Sequence, residues 1–175
     1  MSILIVYASK RGGTEGLARM VAHALGNEGL TTVVAPCSEP PPLDGFDVVI
    51  VGGALYASRW HRDARRFVRS HADELRRIPT YLFSSGPLDG SATDVVIAPV
   101  RGVERLMEHI DAKGHVTFGG RLEPDAKGLV ARPMARRRSG DWRDPLHVRA
   151  WVHDIIAERR LCPKRGPVER DSSDT

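Results

Sequence analysis

Four short runs of the chain are predominantly apolar: residues 3–8, 48–51, 81–83 and 116–118, the last with Thr117 at its centre. Continuous rather than alternating hydrophobicity is the pattern of a strand buried on both faces. A fifth run, 31–35, mixes Thr31 and Thr32 with two valines and suits a sheet edge. Between the runs the period changes to that of a helix. Leu17, Met20, Val21, Ala24 and Leu25 predict a helix over 14–27, closed by Gly26 and Gly29. Ala64, Phe67, Val68 and Leu75 predict one over 61–77, ended by Pro79. Val103, Leu106, Met107 and Ile110 predict a third over 100–112, stopped by Gly114. A fourth, over 145–160, is marked by Leu146, Val148, Trp151, Val152, Ile155 and Ile156. Asp144 is its N-cap, with Pro145 at the first helical position. Strands alternating with helices predict an α/β protein, a three-layer sandwich with a parallel sheet covered on both faces.

Three segments fall outside this alternation. Residues 38–45 are proline-rich and read as a loop. Residues 120–143 form a long connection containing Pro124, Gly128 and Pro133 and the basic cluster Arg132, Arg136, Arg137 and Arg138. Long loops in compact domains are usually functional or mobile. Residues 162–175 have no periodicity and read as a flexible tail, so the folded domain is expected over 1–161.

Composition narrows the setting. A chain of 175 residues can bury one full core. No apolar stretch approaches the roughly 20 residues that span a bilayer. The opening apolar run is too short for a secretory signal and has no basic lead. Cys37 and Cys162 have neither metal-site nor disulfide-framework spacing, so a reducing cytoplasm is the expected compartment. The formal net charge is +4, carried almost wholly by Arg. That sign suits an anionic substrate, an anionic membrane surface or nucleic acid, and equally a solvated surface. No helix-turn-helix, zinc-finger or RNA-binding motif is present, so no nucleic-acid partner is expected.

In an open parallel sheet, ligands bind beyond the carboxyl ends of the strands. Three unusual loops leave those ends. The first is Ser9, Lys10, Arg11, Gly12, Gly13 and Thr14, between the first strand and the first helix, which opens at Thr14. Hydroxyls, close-approach glycines, positive charge and a helix N-terminus make an anion site, with phosphate its natural guest. The loop has neither the spacing of a P-loop nor that of a dinucleotide fingerprint. The second loop follows the third strand: Gly52, Gly53, Ala54, Leu55 and Tyr56, leading to Trp60 and His61. Its glycines admit a flat ligand, and Tyr56 and Trp60 offer ring faces for stacking or for packing on the domain. His61 suits a helix start. The third loop is Ser84, Ser85, Gly86, Pro87 and Leu88, whose backbone groups suit the edge of a heterocycle. A phosphate loop, an aromatic loop and a polar backbone loop at one edge describe a site for a planar phosphorylated cofactor. Flavin mononucleotide (FMN) meets all three requirements.

These residues resemble the flavodoxin family, over about residues 1–160. Its phosphate loop reads Ser/Thr-x-Ser/Thr-Gly-x-Ser/Thr; Ser9, Gly12 and Thr14 match it, and Arg11 replaces the middle hydroxyl. The Arg either substitutes through a charge-assisted contact or points to solvent. A closer resemblance is to the flavodoxin-domain branch of bacterial menaquinone-dependent protoporphyrinogen IX oxidases. It is carried by residues 7–18, by 52–61 with 67–72, and by Ser139-Gly140-Asp141-Trp142-Arg143-Asp144. In that branch a basic, apolar insertion precedes the last helix; residues 120–139 here are shorter and contain few large apolar side chains.

The resemblance implies a five-stranded parallel sheet in the order 2-1-3-4-5 and an FMN-dependent oxidoreductase. Residues 9–14 would bind the phosphate, Tyr56 and Trp60 would flank the ring, and the backbone of residues 84–88 would read its pyrimidine edge. The substrate would be a porphyrinogen or a quinone, with peripheral contact to an anionic membrane; a homo-oligomer is left open. No residue stands out as an essential acid or base. Competing readings are a flavodoxin-type electron carrier, an FMN-dependent quinone reductase, and a non-enzymatic module that uses the anion loop for another ligand.

Overall fold

A computed structural model describes residues 1–87, 92, 96–122 and 140–161. The chain runs β1 (Ser2–Ala8), α1 (Gly13–Asn27), β2 (Thr31–Pro36), β3 (Val48–Tyr56) and β4 (Arg59–Trp60). It continues through α2 (Arg62–Ser70), α3 (Ala72–Leu75), β5 (Thr80–Ser85), α4 (Arg101–Ile110) and β6 (Gly114–Phe118). It closes with β7 (Arg121–Leu122), β8 (Gly140–Asp141) and α5 (Pro145–Leu161).

The main sheet has the order β2-β1-β3-β5-β6, with every neighbouring pair parallel. Counted among parallel strands alone, this is the expected 2-1-3-4-5. Side-chain alternation sorts each buried strand onto two faces. Ile3 and Ile5 join the core beneath α1 and α5, with Leu17, Val21, Val152 and Ile155. Leu4 and Val6 join the core on the opposite face, with Phe67, Leu75, Leu106 and Ile110 of α2, α3 and α4. The predicted three layers are therefore present, and β2 is the partly exposed edge. Asp144 caps α5, its Oδ1 accepting from the Leu146 N–H at 2.8 Å.

The structure departs from the sequence pattern in three places. The single helix expected over 61–77 is two, because His71 leaves helical geometry (φ −114°, ψ 23°). Its ring turns back onto the preceding turn, with Nδ1 3.0 Å from the Phe67 carbonyl and the two rings stacked. Strand β3 runs on through Gly52 and Gly53 to Tyr56 and pairs with β4 as an antiparallel hairpin. Its turn places Ala57 and Ser58 in left-handed conformation (φ 46° and 59°). The pair β7–β8, at the two ends of the long basic connection, carried no signal of its own.

Gly52 and Gly53 serve packing rather than ligand approach, which corrects the sequence reading. The rings of Phe83 and Trp60 occupy the space where their side chains would stand. Gly53→Ala is therefore expected to destabilise by about 1–3 kcal/mol through overpacking, read as a lower midpoint in urea unfolding with unchanged slope.

Candidate cofactor site at the carboxyl edge

The loop after β1 is the best-formed element of the edge. Gly12 is the N-cap of α1, in left-handed conformation (φ 75°), and no side chain caps the helix. The first-turn N–H groups are thus left for a ligand. The helix begins at Gly13, so Thr14 lies within its first turn and is not the residue that opens it. Thr14 is 1 % exposed, and its Oγ1 has no hydrogen-bond partner. A buried hydroxyl left unmet costs about 1–3 kcal/mol. Beside an uncapped helix N-terminus, that orphan fits the phosphate of FMN. Ser9 and Arg11 are half-buried and Lys10 is exposed.

Tyr56 ends β3 and is 39 % exposed. Burial raises its phenol above the ordinary range, opposed by the Arg11 guanidinium and by a hydrogen bond from the Lys10 backbone. Tyr56 therefore lies beside the anion loop, within the electrostatic reach of Arg11. The irregular position of the loop is thus engaged inside the fold. Ala54 is buried, and its carbonyl accepts the His61 N–H at 2.8 Å. Leu55 packs partly buried against the α2–α4 core.

Trp60 corrects an expectation. It is 2 % exposed and belongs to the core on the α2–α4 side. Its indole lies on Gly53, so it offers no free face to a flavin ring. His61 is structural: Nδ1 accepts the Asp63 N–H at 3.2 Å and caps α2.

The third loop is more committed than its composition implied. Ser84 and Ser85 are buried as the last residues of β5. Ser84 Oγ lies 2.9 Å from His115 Nε2. The Gly86 N–H donates to the Phe118 carbonyl at 2.8 Å, and the Pro87 carbonyl accepts from Gly120 N at 2.9 Å. These bonds tie the loop to the segment after β6, so the Gly86 N–H is not free to read a heterocycle. Leu88, the Arg132–Arg138 cluster and the tail lie outside the described residues.

Two residues not singled out from the sequence border the anion loop. A Cβ on Gly13 would lie 3.5 Å from the Arg121 carbonyl oxygen. The guanidinium of Arg143 fills the space beside Gly16, in the first turns of α1. Asp141 holds it there by accepting from Nε (2.7 Å) and Nη2, and these bonds keep the Asp141 carboxyl below its usual range. The only sequence signal was the Asp141-Trp142-Arg143 stretch of the family resemblance. Two open hollows of about 310 and 350 Å³ between α1 and α5 share none of the loop residues. Among the described residues no His, Cys, Asp and Glu cluster could hold a metal, and no helix is long and apolar enough to cross a membrane.

The 2-1-3-4-5 sheet with helices on both faces defines a doubly wound α/β protein. A model of the Flavodoxin domain matches residues 4–137, and the chain belongs to that family, whose members carry a flavin. Protoporphyrinogen IX dehydrogenase (quinone) of Escherichia coli strain K12 is 28 % identical over 86 residues, 48 % of each chain. The chain thus matches about half the length of that relative. The structure resembles a flavodoxin of Streptococcus pneumonia TIGR4 (TM-score 0.59, 19 % identity, 90 % of this chain and 99 % of that one). It also resembles a flavo di-iron protein mutant of Thermotoga maritima (TM-score 0.61, 14 % identity, 90 % of this chain and 35 % of that one). At these identities the two structures show the fold.

Burial pushes His115 down to about 4, from an ordinary value of 6.5. Between those values the unfolded chain binds the proton and the folded chain does not, so stability falls as pH drops through that window. Thermal melts from pH 7 to 4 are expected to show this decline, and His115→Gln should flatten it.

Proposed function

We propose that the protein is an FMN-dependent oxidoreductase acting on a planar, anionic redox substrate, with protoporphyrinogen IX as the leading candidate and a quinone as acceptor. The observation that carries the cofactor is the uncapped α1 N-terminus beside the buried, unpartnered Thr14 hydroxyl. When bound, FMN supplies the redox chemistry, taking electrons from one partner and passing them to another. The chain's residues hold and orient it. Ser9, Gly12, Gly13 and Thr14 would meet the phosphate through hydroxyls and backbone N–H groups, and Lys10 would add charge. Tyr56 would flank the ring alone, because Trp60 is in the core. Arg11 would position Tyr56 rather than replace the missing hydroxyl. Ala54 and Leu55 would line the edge between them, above the buried ends of Ser84 and Ser85.

The substrate class rests on two supports. One is the similarity to the E. coli dehydrogenase over half the chain. The other is the basic balance of the chain, which suits a flat dianion or an anionic membrane on which such a substrate resides.

Two measurements test the reading. Titration with FMN should give a bound-flavin visible spectrum, and Thr14→Val should weaken binding roughly 10-fold or more, as loss of a hydrogen bond to a charged group predicts. Unchanged affinity would remove Thr14 from the phosphate site. Flavin-loaded protein should oxidise protoporphyrinogen faster than air does when a quinone analogue is supplied. No acceleration, together with reduction only through a partner reductase, would make the protein an electron carrier instead.

A further inference from the structure

Three buried polar atoms on the β3–β4 hairpin and on β6 have no hydrogen-bond partner: Trp60 Nε1, His115 Nδ1 and Thr117 Oγ1. The ladder brings them together. Gly53, Ser84 and Thr117 are register neighbours across the three strands, which places them in one row on one face, about 4.8 Å apart from strand to strand. The indole of Trp60 covers Gly53 on that side. His115 precedes Thr117 by two residues and so shares its face; its Nε2 meets Ser84 Oγ at 2.9 Å. Val51 and Leu82, two residues before Gly53 and Ser84, identify the face as the one packed under α2, α3 and α4.

The patch is largely closed, with His115 half-buried at its margin. Trp60, Ser84 and Thr117 are 2 %, 1 % and 3 % exposed. Gly86 lies over it: a Cβ there would be 2.7 Å from Thr117 Cγ2 and 3.5 Å from Leu55 Cδ1. Buried polar groups in native proteins are almost always paired, with protein or with ordered water. Three orphans along one row of one face therefore call for partners that the protein itself does not supply. The indole can only donate, so the partner must accept; the hydroxyl and the imidazole each donate and accept. Burial favours the neutral imidazole, and the other three groups carry no charge, so the patch favours neither an anion nor a cation. A small neutral molecule that both donates and accepts fits, and water is that molecule.

We propose that Trp60, Ser84, His115 and Thr117 form an internal water-binding site between the β3–β4 hairpin and strands β5 and β6. The bound water ties the hairpin that carries Tyr56 to β5 and β6. The hairpin borders the cofactor edge, so the link to cofactor positioning rests on the FMN reading, whereas the water site does not.

The test uses the protein without flavin. Thr117→Val keeps the shape and removes the hydroxyl, and Trp60→Phe removes the indole donor. With water bound, each variant loses one of its hydrogen bonds, and the melting temperature falls by about 3 °C or more. In a dry patch, removing an orphan raises the melting temperature, so a rise in Thr117→Val overturns the site. In the wild-type protein the Trp60 indole proton should show a magnetisation-transfer cross-peak to a long-lived water, weakened in Thr117→Val. Absence of that cross-peak in the wild type overturns the site as well. Neither readout involves flavin, so failure here leaves the FMN assignment standing, and loss of flavin binding leaves the water site standing.

Discussion

A parallel sheet buried on both faces leaves polar chemistry nowhere to go but its edges, and this constraint organises the molecule. Residues 3–6 of β1 and 48–51 of β3 are fully buried, with helices above and below. A charge or an unmet hydrogen-bonding group in the middle of those strands would be costly. At the carboxyl ends the strands give way to loops, and helix α1 turns its uncapped N-terminus toward them. The backbone geometry there favours an anion before any side chain is considered.

The three loops contribute unequally. The loop after β1 is open, with a buried hydroxyl in want of a partner. The loop after β5 is tied to the segment after β6 through Gly86 and Pro87 and acts as a fixed wall. Between them the β3–β4 hairpin holds one aromatic out, Tyr56, and one in, Trp60. Arg11 and the Lys10 backbone couple Tyr56 to the anion loop. The hairpin's left-handed Ala57 and Ser58 are held against their intrinsic preference, which is the kind of strain that gathers at binding sites.

Much of this was legible in the chain because its signals are local. Continuous apolar runs marked the parallel strands, and 3.6-residue periodicity marked the helices. Asp144-Pro145 marked a helix start that the structure reproduces with a direct cap. The anion loop was legible for the same reason, since its chemistry lies within six consecutive residues. Trp60 was not, because an aromatic after a glycine pair reads equally as a stacking platform or as a core ring. Only the neighbouring Gly53, whose empty side the indole fills, separates the two. The break at His71 depends on a ring contact with Phe67, and periodicity does not register such contacts.

The sequence by itself determined the layer architecture, the parallel sheet and the place of the loop between β1 and α1, because hydrophobic period, caps and loop chemistry are properties of neighbouring residues. Tertiary structure decided which of the candidate groups are available to a ligand. Ser84 met His115 across 31 positions. Arg143 reached Gly16 from the far side of the long basic connection, and Trp60, His115 and Thr117 were brought into one buried patch. Those outcomes depend on strand register and on pairings between distant segments, and no local pattern encodes them.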